Sequence, residues 1–137
     1  MDKLATHFPD LSKHKTLAEA INQECKTMLF QEGEVLLKDG GYVKFIPLVL
    51  NGLIKVYSED EKGNELLLYY IKAGESCIMS ATYCIQNETS RVKAIVEEAA
   101  EIILIPAGSA IRFNHKYAGW NELMQTSCPH LLTLSSQ

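Results

Sequence analysis

The stretch Gly52-Leu53-Ile54-Lys55-Val56-Tyr57-Ser58-Glu59-Asp60-Glu61-Lys62-Gly63-Asn64-Glu65-Leu66-Leu67-Leu68-Tyr69-Tyr70-Ile71 decides the fold. Two apolar runs flank a polar, glycine-containing loop at 60–64, the composition a hairpin connection requires. The runs at 53–57 and 66–71 are therefore expected to be antiparallel neighbours. Side chains alternate along a strand, so Ile54, Val56 and Ser58 share one face while Lys55, Tyr57 and Glu59 share the other. The second run is apolar on both faces, which predicts a strand covered on both sides.

Outward from this hairpin, Gly33, Gly41, Gly52, Gly63 and Gly74 fall 8, 11, 11 and 11 residues apart, each between short apolar runs. Turn signals at such intervals mark an all-β sandwich or barrel. Strands are predicted at 27–30, 35–37, 45–50, 52–59, 64–71, 92–96 and 101–106. Helical periodicity lies outside them. Leu17, Ala18, Ile21 and Cys25 recur at helical spacing within 11–25, with Thr16 and Glu19 placed as a capping box. Two more helices are predicted at 107–115 and 119–127, the second carrying Trp120, Leu123 and Met124 and stopped by Pro129. Segment 76–86 has no glycine and reads as a short internal helix, followed by a polar loop at 87–91. A helix and a polar loop interrupting a roll form a natural place for a pocket. The fold class is thus mainly β, a double-stranded β-helix (a jelly-roll or cupin-like β-roll) with short helices at both ends and one internal pocket helix. One domain is expected over 1–137, with no helix-turn-helix.

Charge and composition narrow the function. Lysine and arginine number 13 against 17 acidic residues, a net charge of −4, so a polyanion meets no general attraction. Lys13, His14 and Lys15 come nearest to a basic stripe and carry too little charge to hold phosphates against salt. No run of apolar residues approaches the ~20 that a membrane span needs, and the N-terminus lacks a signal-peptide core. A cytoplasmic protein without membrane contact is expected, with Cys25, Cys77, Cys84 and Cys128 as reduced thiols. No pair of them has CxxC spacing. His7, His14, His115 and His130 fall outside the predicted strands, so the alternating histidines of a metal-dependent cupin are missing. Neither catalytic nor metal-ligating residues are assigned, and no enzymatic activity is expected.

From 30 to 113 the chain resembles the cyclic-nucleotide-binding domain of Crp/Fnr-type bacterial transcription regulators. The resemblance is carried by Phe30-Gln31-Glu32-Gly33-Glu34-Val35-Leu36 and by Val49-Leu50-Asn51-Gly52-Leu53-Ile54-Lys55-Val56-Tyr57. It continues in Gly63-Asn64-Glu65, in Lys72-Ala73-Gly74-Glu75 and in Glu101-Ile102-Ile103-Leu104-Ile105-Pro106. Their order and spacing together make it fairly specific. It implies a small-molecule effector held on the internal helix and the loop after it, by Gly74, Glu75, Ser76, Met79, Ser80, Thr89, Ser90 and Arg91. Nucleotide binders of this family carry Gly-Glu-Leu on that helix and an Arg-Ser or Arg-Thr-Ala on the loop. There, backbone donors and arginine neutralise a phosphate while the glutamate takes a ribose hydroxyl. Here Ile78-Met79-Ser80 and Thr89-Ser90-Arg91 stand at those places, without the glutamate and with the arginine displaced by about two residues. A charge-assisted hydrogen bond contributes ~1.5–3 kcal/mol, so these changes weaken cyclic AMP by about two decades or more. The resemblance therefore implies an anionic effector, with a cyclic nucleotide disfavoured. It also implies a homodimer through the helix bearing Trp120, Leu123 and Met124, and DNA contact only through a domain that this sequence does not contain.

Alternatives come from the same region. Cys77 and Cys84 lie seven residues apart, near two helical turns, so a redox sensor would place both on one side of the internal helix. Two small buried apolar residues are the commoner reading of such cysteines. A stand-alone cyclic-nucleotide-binding-like module is a further alternative, and a pure dimerisation module would instead fill the pocket with its own Met79, Tyr70 and Tyr83.

Overall fold

The computed structural model describes residues 3–128. Strands β1 (Lys26–Phe30), β2 (Val35–Leu37), β3 (Phe45–Glu59), β4 (Glu65–Ile71) and β5 (Lys93–Pro106) form one antiparallel sheet in the order β1-β5-β3-β4, with β2 also on β5. Helices α1 (Lys3–His7), α2 (Lys15–Glu24), α3 (Ile78–Gln86), α4 (Ala107–Lys116) and α5 (Gly119–Ser127) flank it, with a 3-10 turn at Pro9–Lys13. The architecture is mainly β, a roll with helices at both ends and one between β4 and β5.

The hairpin forms as its composition predicts: Ile54 pairs with Ile71 and Glu59 with Glu65 across β3 and β4. Asp60 closes the loop by accepting from the backbone amides of Lys62 and Asn64, both at 2.9 Å. Ile54 and Val56 are buried on the inner face. The outer covering expected over 66–71 is corrected, because Leu66 and Leu67 are exposed at 63% and 48%. β4 is the edge of the sheet, and only its second half, ending in Tyr69 and Ile71, meets the core.

The strands are also fewer and longer than expected. The pairs read as 45–50 with 52–59, and as 92–96 with 101–106, are single strands of 15 and 14 residues. Gly52 is no turn. It sits in β3 with φ +94, amid register shifts between Val49 and Ile54 that bend the strand without ending it. A Cβ there would lie 2.5 Å from the Ala100 Cα and 2.5 Å from the Ala99 carbonyl oxygen of β5. Only glycine supplies both the conformation and the space.

The helices anchor the open side. α2 begins at Lys15, so Thr16 lies inside it; its N-cap is His14, which makes no side-chain cap bond. The imidazole Nε2 of His14 instead meets Glu122 of α5 at 2.7 Å, with the ring against Gly119. The capping box at Thr16 and Glu19 is therefore absent, because the chain before it winds into a 3-10 turn that places His14 at the cap. α4 and α5 match the predicted limits closely, whereas Pro129 lies outside the described residues.

Replacing Gly52 by Ala is expected to cost about 3 kcal/mol, from forced positive φ together with backbone overlap. Gly63, at φ +86 with nothing within 4 Å of its would-be Cβ, should lose only about 1 kcal/mol on the same change. Urea unfolding of the two variants measures the difference; equal losses would remove the close-approach argument.

Candidate functional site

The interior of the roll holds a cavity of about 600 Å³. Met28 and Phe30 of β1, Val35, Leu36 and Leu37 of β2, and Ala94 and Leu104 of β5 line one side. Phe45, Pro47 and Ile54 of β3 and Ile71 of β4 line the other. Cys77 and Ser80 close it at the start of α3, while Lys38, Gly41, Tyr42 and Lys44 come from the loop between β2 and β3. Apolar side chains predominate. Met28, Val35, Tyr42 and Phe45 remain 45–64% exposed, so the mouth itself is apolar and open to solvent.

The N-terminus of α3 is held by a sulfur-centred cap. Cys77 Sγ accepts from the Ser80 amide at 3.4 Å and lies 3.5 Å from the Tyr69 hydroxyl, which also accepts from the Met79 amide at 3.4 Å. Burial, with Cys77 beside it, pushes the Tyr69 hydroxyl far up, so it stays a neutral hydrogen-bonding group. At the other end Asn87 adopts φ +55 and closes α3 in a left-handed cap, its amide donating to the Tyr83 and Cys84 carbonyls.

Of the residues expected to hold a ligand, Ser80 lines the cavity, and the neighbouring Cys77 does so too. Met79 is half-buried beside them. Gly74, Glu75 and Ser76 stand apart from the lining and make structural bonds. The Gly74 amide donates to the Val49 carbonyl, and Val49 donates back to the Glu75 carbonyl. The Glu75 carboxylate accepts from the Lys72 amide at 2.9 Å. Ser76 donates its hydroxyl to the Pro47 carbonyl and its amide to the Ser127 carbonyl, both at 2.7 Å. In the polar loop, Ser90 donates its hydroxyl to the Val92 carbonyl at 2.7 Å and exchanges backbone bonds with Gly40 and Gly41. Thr89 bridges to Tyr42, and Arg91 is exposed away from the lining. The polar loop thus touches the site indirectly, by holding the 38–42 loop over it.

Sequence reasoning missed Lys38, Tyr42 and Lys44. The signal was there as two lysines and an aromatic around Gly40-Gly41, but local composition does not say which opening a loop covers. Cys84 is buried and donates to the Ala107 carbonyl at 3.6 Å; burial raises its thiol above its ordinary value. Trp120, Leu123 and Met124 are all buried within this chain, Trp120 with its ring centroid 6.0 Å from that of Phe113. These three side chains, expected to carry the dimer helix, thus cover the chain's own core instead of standing on its surface. Among the described residues no cluster of histidine, cysteine or carboxylate side chains could hold a metal, and no helix is long and apolar enough to cross a membrane.

Comparison with known proteins gives the same outline. The model of the cyclic nucleotide-binding domain matches residues 27–117. No curated protein sequence matches the chain significantly. Among solved structures, a protein described as a transcriptional regulator of the Crp/Fnr family from Eubacterium rectale superposes with a TM-score of 0.77 at 22% identity, over 96% of this chain and 63% of that one. The regulatory domain of Toxoplasma gondii PKA with cAMP gives 0.73 at 13% identity, over 90% and 46%. The catabolite activator protein of Thermus thermophilus gives 0.70 at 16%, over 89% and 56%. At these identities the likeness is one of fold, and this chain spans roughly half to three-fifths of those it matches. With the family model covering the whole roll and the internal helix that walls its cavity, this chain belongs to the cyclic nucleotide-binding domain family.

Proposed function

We propose that this chain binds a small effector in the roll cavity and relays its occupancy to the C-terminal helices, as the sensing part of a Crp/Fnr-type transcription regulator. The observation that carries the reading is the cavity of about 600 Å³ with one wall made by the start of α3. α3 is also tied to the two helices beyond the roll. Cys84, within α3, donates to Ala107 at the start of α4, and Ser76, two residues before α3, donates its amide to Ser127 at the end of α5. A ligand that favours one position of α3 therefore shifts the population of both helices. The role is regulatory, not catalytic. Homodimerisation and DNA contact belong to the same proposal, with DNA met by a domain outside 1–137 and the dimer formed on surfaces other than the buried Trp120 face.

Calorimetric titration with cyclic AMP, cyclic GMP and small organic anions, followed by hydrogen exchange on the saturated protein, tests this. Added protection should appear in 78–86 and spread to 119–127. Ser80→Phe, which fills the wall, should lower affinity at least tenfold, while Arg91→Ala should stay within about twofold. Saturation that leaves α5 exchange unchanged would refute the relay.

Against the redox alternative, Cys77 is buried with its sulfur accepting from the Ser80 amide, and Cys84 is buried with its thiol raised above the ordinary value; the other two thiols, Cys25 and Cys128, are raised as well. Reactive cysteines carry depressed pKa values, whereas burial pushes Cys25 up to about 11 and Cys128 up to about 12. Iodoacetamide at pH 8 should therefore label the folded chain far more slowly than the urea-unfolded chain. Because these two groups release protons later when folded than at their ordinary 9.0, stability is full below pH 9 and falls as pH rises towards 12. Thermal melts between pH 8 and pH 11 measure that fall.

A further inference from the structure

We infer that the roll cavity is shaped for an amphipathic monocarboxylate, its apolar body inside the roll and its carboxylate between Lys38 and Lys44. This rests on the effector reading above and assigns a chemical class to the effector. Buried Leu37, Ile54 and Ile71 and half-buried Phe30 and Leu104 line the cavity with side chains that offer a ligand dispersion contact and no hydrogen bonds. Both lysines lie on the 38–44 loop at the mouth, and among the described residues neither takes part in an ion pair. Two free ammonium groups at the rim of an apolar chamber select a molecule with one anionic end and an apolar remainder.

The same lining disfavours a nucleotide. It contains no aspartate, glutamate, asparagine, glutamine or arginine. The side-chain polar groups other than the lysines are the Ser80 hydroxyl, the Tyr42 phenol and the Cys77 thiol, and the last already caps α3. A ribose and a purine edge carry more donors and acceptors than these can satisfy. Each one buried without a partner lowers affinity by roughly ten- to a hundredfold. An alkyl chain has none to lose. The exposed apolar rim of Met28, Val35, Tyr42 and Phe45 also gives such a chain a path inward, where a polar ligand gains nothing.

Calorimetry on the whole chain with hexanoate, octanoate and decanoate, with the primary alkanols of matching length and with cyclic AMP, decides the matter. Affinity for the carboxylates should rise up to about fourfold per added methylene until the cavity is filled. Alkanols should bind at least tenfold more weakly than the matching carboxylates. The double substitution Lys38→Met and Lys44→Met keeps the apolar stems of two exposed residues, so melting should be unchanged while the preference for carboxylate over alkanol disappears. Cyclic AMP binding in place of the carboxylates, or a carboxylate preference that survives the double variant, would overturn the ligand class and leave the effector reading standing. Failure of every compound to bind, cyclic AMP included, would overturn both.

Discussion

Where Gly52 of β3 lies against Ala99 and Ala100 of β5, two backbones come closer than any side chain would permit. That contact sits at the middle of the two longest strands, and the register shifts around it turn a flat ribbon into a bent one. On one side of the bend β5 pairs with β1 and the 45–49 half of β3; on the other it pairs with β2 and the 54–57 half. Bending brings the apolar faces of both halves towards a shared interior. Without it, Ile46 and Leu48 would not share a core with Ile54 and Val56, and the enclosed space that makes the site would not exist.

The site is then finished by elements that have little affinity for one another in isolation. α3 is nine residues long, too short to be stable alone, and its first turn depends on a thiol cap braced by the Tyr69 hydroxyl of β4. The 38–42 loop is held over the opening through backbone bonds between Gly40, Gly41 and Ser90 and the bridge from Tyr42 to Thr89. Each is a few bonds strong. By contrast the helical end encloses Phe113, Trp120 and Leu123 almost completely, with the ring centroids of Phe113 and Trp120 6.0 Å apart.

Cys77 shows how one residue answers two readings. Its position at the start of the internal helix suggested a sensor thiol, yet its sulfur accepts from an amide, lines the cavity and is 1% exposed. In the fold its sulfur caps α3 and packs in the core. Ser76 and Ser90 behave alike, since their hydroxyls are spent on the backbone carbonyls of Pro47 and Val92.

The residues alone made legible whatever depends on near neighbours. The 60–64 loop specifies its hairpin because Asp60 folds back on the next four residues; segment 76–86 specifies a helix because no glycine or proline interrupts it. The resemblance across 30–113 identified the roll from the order of such local signals. Tertiary structure alone decided the contacts between residues far apart in the chain. Gly52 reads as a turn until β5 is seen pressed against it, Leu66 and Leu67 read as covered until β4 is found at the edge, and Trp120 reads as a seam until Phe113 meets it. Lys38, Tyr42 and Lys44 became part of the site only through pairing with a loop some fifty residues away. Hydrophobic period and turn chemistry act over a few residues, whereas closure of a cavity is a property of long-range pairing, and no local pattern carries it.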